Sequence, residues 1–256
     1  MAADLQALLG GYALEALAAG QPAAEWWRAL PPPRRYAIAS CYFILAPTPL
    51  AEGGLTLSFF IEELMERLLQ GLSRRTRREE KVYPGRVRGK INWPSTFKVR
   101  FGRDFDPSRF VCRELRYEYD TPENQLLRFL TQRLLESFHL VPETLRRGEW
   151  LPAGSDQPRP LLANLTRLEN RLNERLRHVH FREITLPTHV TPDHLLRAGT
   201  SRSEEYAAVA QLYQQYEMIV VRGEWGPVQA LLRAGLVLPA GPEPLWTGVN
   251  AAVLRA

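Results

Sequence analysis

The residues in this chain that could carry out chemistry are few and far apart. Glu79, Glu80 and Lys81 form its one acid-x-Lys run, the spacing in which a carboxylate helps to hold Mg²⁺ while the lysine orients an attacking water. A nuclease of this PD-(D/E)xK type also needs an acidic partner upstream on an adjacent strand, and none stands at a suitable distance before Glu79. Asp193 is followed by Glu204 and Glu205 but by no lysine, because the last lysine in the chain is Lys98. His178, His180, His189 and His194 invite a metal reading, yet their steps of 2, 9 and 5 match no zinc pattern and no cysteine or paired acid joins them. Cys41 and Cys112 stand 71 positions apart in apolar surroundings and read as small buried side chains in a reducing compartment. The sequence contains neither a nucleotide-binding P-loop nor a nucleophile elbow. The expectation is no catalytic residue, no metal and no cofactor, with a metal-dependent nuclease carrying an unrecognised PD-(D/E)xK-type site as the alternative.

What the chain does concentrate is positive charge. Arg74, Arg75, Arg77, Arg78, Lys81, Arg86, Arg88, Lys90, Lys98, Arg100 and Arg103 face only Glu79 and Glu80 between positions 74 and 103, so this segment carries +9 while the whole chain carries +5. The remaining residues therefore sum to −4, and the basicity is one local field, which points to an anionic partner. A helix C-terminus would account for two of the four arginines from Arg74 to Arg78. It leaves the other charges unexplained, and a surface that tracks phosphates would use most of them in one plane. These eleven residues are the candidate nucleic-acid contacts, with DNA placed before RNA.

Helices and strands must position that field. Asp4 to Ala19 has helical spacing, a short helix carries Trp26 and Trp27, and Pro31 to Pro33 stop it. Arg34 to Ala46 is apolar all round and reads as a buried helix or strand, closed by Pro47 and Pro49. Leu57, Phe60, Ile61, Leu64, Met65, Leu68, Leu69 and Leu72 recur at helical spacing and run straight into Arg74. After Pro84 the pattern turns to alternation, which predicts strands over Gly85 to Trp93, Phe97 to Arg103 and Phe110 to Tyr119. Gly89 marks a bulge or a close backbone approach. Asp120 to Asn124 predicts a helix start in which Thr121 caps, Pro122 fills the first helical position and Glu123 faces the positive end of the dipole. Capping explains these polar residues without a metal.

Trp150 to Arg159 reads as a linker. A long helix follows with the seam Leu161, Leu165, Leu168, Leu172, Leu176 and Val179, and its off-seam arginines Arg167, Arg171, Arg175 and Arg177 suit packing within the fold before a partner helix. Ser203 to Val221 and Trp225 to Leu238 read as the last helices. The fold class is α+β, mostly helical, with a small antiparallel sheet from about Val82 to Tyr119 inserted between helical layers. The divisions fall at 1–76 (helical), 77–150 (basic sheet plus helix) and 151–256 (helical). The most apolar run, Tyr36 to Ala51, is too short to span a bilayer, and no basic segment precedes an apolar run at the N-terminus. A soluble cytoplasmic protein without membrane contact is expected.

The Gly-Arg-Val-x-Gly-Lys-Ile run at Gly85 to Ile91, the Asp-Thr-Pro-Glu-Asn helix start at Asp120 to Asn124, and a helix carrying Tyr206 after Arg202 occur in an order that resembles the McrC-like family. The resemblance covers roughly Arg78 to Val221. It implies a partner subunit of an AAA+ NTPase in a restriction or phage-defence system, one that docks on the NTPase ring and stimulates hydrolysis. Full-length members add a C-terminal PD-(D/E)xK nuclease, which this sequence does not show. The resemblance then implies that the nuclease was lost or belongs to another subunit.

Overall fold

The structure, a computed structural model, describes residues 23–46, 55–102 and 105–241. The helix expected over Asp4 to Ala19, the closing prolines Pro47 and Pro49, and Arg103 lie outside the described residues. Helices α1 (Ala23–Ala29) and α2 (Pro32–Leu45) come first. Pro32 lies in the first turn of α2, where a missing N–H leaves nothing unbonded. From Ile38 to Leu45 every residue of α2 is buried, so the apolar run is a helix through the core. Helix α3 comprises Leu57–Phe59, a π-helical turn over Phe60–Leu64, and Met65–Gln70. Its whole predicted stripe from Leu57 to Leu72 is buried.

The ribbon that follows corrects three expectations. Gly71 ends α3, so the arginines after it do not sit at a helix C-terminus; they enter strand β1 (Arg75–Pro84). The strand expected over Gly85 to Trp93 is reduced to β2 (Lys90–Ile91), because Gly85 and Gly89 both adopt positive φ and turn the chain. The segment expected as a strand from Phe97 is instead helix α4 (Trp93–Arg100). Asn92 caps it by accepting from the Ser95 N–H, and Pro94 suits its first turn. The third strand is where the alternation placed it, as β3 (Arg109–Glu118). β1 and β3 pair antiparallel along their full length, from Arg75 opposite Glu118 to Pro84 opposite Arg109, and β2 takes the other edge of β3. Thr96 fixes α4 to this sheet: its Oγ1 accepts from the Val111 N–H at 2.9 Å and donates to the Val111 carbonyl at 3.3 Å.

Helix α5 (Pro122–Leu140) is the axis of the body. Leu126, Leu127, Phe129, Leu130, Leu134, Leu135 and Phe138 are buried together with Asn124, Thr131 and Ser137, so the helix is enclosed on most sides. Beyond it come α6 (Glu143–Arg146), β4 (Glu149–Pro152), β5 (Arg159–Pro160), α7 (Leu162–Leu176), α8 (Val179–Glu183), α9 (Pro192–Gly199), α10 (Glu204–Tyr216, continued by a π-helical turn over Glu217–Val221), α11 (Trp225–Arg233) and β6 (Gly235–Leu238). Helices α2, α7, α9 and α10 all pack on α5.

β4 lies between β5 and β6 in a second antiparallel sheet, so the expected linker at Trp150 is a strand and the last expected helix ends in one. Gly235 permits that pairing: a Cβ there would lie 2.5 Å from the Leu151 carbonyl oxygen and 2.6 Å from the Trp150 ring. On the flank of α7, Arg175 pairs with Glu66 of α3 at 2.9 Å and Arg167 pairs with Glu62. These two arginines thus serve internal packing. The fold is α+β and mostly helical, with two small antiparallel sheets.

One buried cluster extends from Trp27 to Val237, and the divisions at 76/77 and 150/151 fall inside β1 and β4. Val111 and Cys112 are buried outside that cluster, beneath the ribbon's own elements. The ribbon joins the body through a polar clamp. Asn124, fully buried on α5, donates from Nδ2 to the Ser73 carbonyl and the Tyr119 carbonyl, each at 2.7 Å. Its Oδ1 accepts from the Tyr206 hydroxyl of α10, and that hydroxyl accepts from the Ser73 N–H at 2.9 Å. Burial pushes the Tyr206 hydroxyl pKa well up, so it remains a donor at every ordinary pH. Replacing Asn124 with Ala orphans two part-buried carbonyls and one buried hydroxyl. With an unsatisfied buried group costing about 1–3 kcal/mol, the unfolding free energy from urea titration should fall by about 2 kcal/mol, and limited proteolysis should newly cut near Ser73 and Tyr119.

Candidate nucleic-acid interface

The sequence-predicted contacts divide among three elements. Arg75, Arg77, Arg78 and Lys81 lie on β1, Arg86 and Arg88 in the turn after it, Lys90 on β2, and Lys98 and Arg100 on α4; Arg74 precedes β1, and Arg103 is not described. All of the described ones are exposed except Arg100, which is half-buried. They do not share one plane, as was expected of them. Successive strand residues face opposite ways, so Arg75, Arg77 and Lys81 take one face of the ribbon and Arg78 the other. Both faces are open to solvent near the root, where Arg77 opposite Arg116 and Arg78 opposite Leu115 are all exposed.

The field is uneven along the ribbon. Near the root, Arg77 and Arg116 line a cleft of about 550 Å³ with Glu79, Glu118, Asp120 and Glu183, and that many carboxylates neutralise the two guanidinium groups. Glu79 lies 3.4 Å from Lys81 and 3.7 Å from Arg116, while Glu80 holds Arg113 at 2.7 Å and accepts from Asn92 at 2.6 Å. The acid-x-Lys triplet is thereby occupied with ion pairs across the sheet. Residues 105–118 carry three basic and three acidic side chains, so β3 adds nothing to the field. Toward the tip, residues 84–102 carry Arg86, Arg88, Lys90, Lys98 and Arg100 with no acid. Arg86 and Arg88 both lie over the Tyr83 ring, at 5.8 and 5.9 Å. Arg100 is structural, its Nε donating to the Arg109 carbonyl at 2.8 Å and its guanidinium stacked 4.1 Å from the Phe110 ring centroid. Gly89 makes the close backbone approach that its position implied: at φ +74°, a Cβ would meet the Arg113 carbonyl oxygen at 2.5 Å.

The alternation reading missed a row of aromatic rings beside this charge. Trp93, Phe97 and Phe101 recur every fourth residue along α4, and Phe105 extends the row; successive ring centroids lie 5.9, 6.1 and 5.6 Å apart. All four are more than half exposed. The i, i+4, i+8 spacing and the Asn92-Trp93-Pro94-Ser95 start were the available signals.

The other candidates have structural partners. Asp193 and Glu204 lie in the first turns of α9 and α10 and do not occupy adjacent strands. His194 closes the start of α9 through Thr191 and reaches Gln125 at 3.0 Å, while His180 stacks on Tyr119 at 4.2 Å. Among the described residues no three His, Cys, Asp or Glu side chains are grouped to hold a metal, and no helix is long and apolar enough to cross a membrane. Cys41 and Cys112 are free and buried, and burial pushes the Cys41 thiol up to about 12 despite nearby Arg146. Thr121 stands at the N-cap of α5, but its Oγ1 is buried without a partner, so the expected side-chain cap is absent.

Asp120, expected to serve only helix initiation, instead accepts from Thr185 N–H at 2.8 Å, Thr185 Oγ1 at 2.7 Å and Gln125 at 2.8 Å. Burial alone would raise its pKa, but these bonds outweigh burial and hold it below the usual carboxylate value. A lowered folded-state pKa contributes stability that is present above the unfolded value and is lost as pH falls through the folded one. Asp120→Asn should therefore lower the urea midpoint at neutral pH, and the gap from wild type should close as pH drops below about 4.

With the fold an α+β, mostly helical body bearing a basic ribbon, comparison with protein-family models, with curated proteins and with solved structures finds no match.

Proposed function

We propose that this protein is a nucleic-acid-binding, non-catalytic adaptor subunit of a cytoplasmic bacterial defence complex, and that it activates a partner AAA+ NTPase as the McrC-like resemblance implies. The observation that carries the nucleic-acid part is the basic end of the ribbon, where residues 84–102 carry five cations and no acid and the neighbouring Asp106 and Glu80 are paired with Arg109 and Arg113. Arg86, Arg88, Lys90 and Lys98 are exposed there on a structured turn, strand and helix, the arrangement in which positive side chains track a phosphate backbone. DNA is placed before RNA because the systems to which the resemblance points are restriction systems. The NTPase part rests on the order of the Gly85 to Ile91, Asp120 to Asn124 and Arg202 to Tyr206 segments, the last two of which meet in the Asn124–Tyr206 hydrogen bond at the ribbon root.

Reversing Arg86, Arg88 and Lys90 to Glu should weaken binding of a labelled duplex strongly. Its log–log salt slope should also flatten by about 0.9 for each phosphate that the variant no longer neutralises. A folded triple mutant with the wild-type slope would show that these residues do not meet phosphate. In a separate measurement, adding the protein to its cognate AAA+ NTPase should raise the rate of nucleotide hydrolysis, while the protein alone hydrolyses none. Cleavage of nucleic acid by the isolated protein with Mg²⁺, abolished by Asp193→Ala or Glu204→Ala, would replace this reading with the nuclease one.

A further inference from the structure

From the aromatic row on α4 we infer that the nucleic acid bound by this protein is single-stranded where it passes α4, with unpaired bases stacking on Trp93, Phe97, Phe101 and Phe105. The inference deepens the nucleic-acid reading above and rests on it. Large aromatic rings are normally buried, and in this chain Trp27, Trp150, Phe43, Phe60, Phe138 and Phe181 are. The four rings on and after α4 are instead exposed by 51, 51, 66 and 65%, in one continuous row. They contribute nothing to the main cluster, while Thr96, about 100° round the same helix from Phe97, holds it against β3.

The charge around the row selects the occupant. On a helix the residues at i+1 and i+3 flank the stripe made by i and i+4, so the exposed Lys98 borders Phe97 and Phe101 on one side, while Arg100 on the other is held by the Arg109 carbonyl and the Phe110 ring. Lys90, Arg86 and Arg88 lie in the segment leading to it, and residues 84–102 hold no acid. An apolar protein partner would be matched by the rings alone and would have to desolvate this charge. A single-stranded polynucleotide matches both, because its phosphates meet the cations and every base has a face to stack. Paired bases inside a duplex have no free face, so the row discriminates by strandedness and not by sequence.

The test uses the full chain and fluorescein-labelled oligonucleotides of one sequence as single-stranded DNA, single-stranded RNA and duplex DNA, followed by anisotropy over a range of salt. Phe97→Ala and Phe101→Ala should each weaken single-strand binding on the order of tenfold, leave duplex binding unchanged, and leave the salt slope unchanged because no charge is removed. The Phe97→Tyr/Phe101→Tyr pair should restore binding, and the Phe97→Leu/Phe101→Leu pair should not. Urea midpoints near wild type would confirm that the variants are folded, as expected for exposed rings.

Equal losses for single strand and duplex, or no loss, would overturn the inference while duplex binding through Arg86, Arg88 and Lys90 still stood. Full activity of the leucine pair, with a change in mass by light scattering on the alanine changes, would show an apolar face between copies of this chain. Failure of the wild type to bind any of the three oligonucleotides would overturn the nucleic-acid reading itself. Wild-type preference for RNA or for DNA identifies which single strand the row takes.

Discussion

A ribbon of two long strands that is open to solvent on both faces near its root has little apolar burial there, so its direction must be set where it leaves the body. In this protein one side chain sets it. Asn124 holds the chain just before β1 and the chain just after β3 with the two hydrogens of a single amide, and Tyr206 completes the network from α10. A buried amide leaves nothing to spare: its two donors are used on part-buried carbonyls and its oxygen on the buried Tyr206 hydroxyl. The enclosed position of α5, packed by α2, α7, α9 and α10, keeps that amide in place. The ribbon is therefore tied to the helical core through these polar bonds and the packing of Tyr119.

The ribbon is also electrically graded. At its root the guanidinium groups share space with carboxylates of β1, β3, the start of α5 and α8, and the local field is close to balanced. Toward its far end residues 84–102 add five cations and no acid, while Asp106 and Glu80 alongside are paired with Arg109 and Arg113. A grade of this kind orients an approaching polyanion toward the tip, because the long-range attraction is felt only there and is screened over about 8–10 Å at physiological salt. Counting charge along the chain hid this, since Arg77 and Arg88 weigh the same in a sum and differ entirely in their neighbours.

The helices were legible wherever burial imposed a period. The stripe from Leu57 to Leu72, the seam from Leu161 to Leu172 and the apolar positions of the helix at Tyr206 are buried as their spacing required, whereas Leu176 is only partly buried and Val179, expected to end the seam, starts α8 and is exposed. β3 was legible from its alternation although only Val111 and Cys112 of it are buried. The α4 segment failed because its aromatic residues face solvent and two periods fit them equally. Phe97, Val99 and Phe101 satisfy a two-residue period and Trp93, Phe97 and Phe101 a four-residue one, and only the Asn92 cap and Pro94 decide between them. The second sheet was hidden because β5 is Arg159–Pro160 and β4 ends in Pro152, a pattern that reads as a turn. Asp120 and Asn124 were read as local to their helix, although their partners Thr185 and Tyr206 are 65 and 82 positions away. No local pattern reports such a distance.

The length of β1 has a mechanical consequence. Ten paired residues at about 3.4 Å each make a ribbon of about 34 Å, anchored at one end. The anchor thus works as the fulcrum of a long lever: a tilt of about 5° at Asn124 sweeps the far end through about 3 Å over such a span. Whatever grips the tip applies torque to α5 and α10, the two helices that share the fulcrum. A load at one extremity of the molecule is in this way converted into a small rotation at its centre.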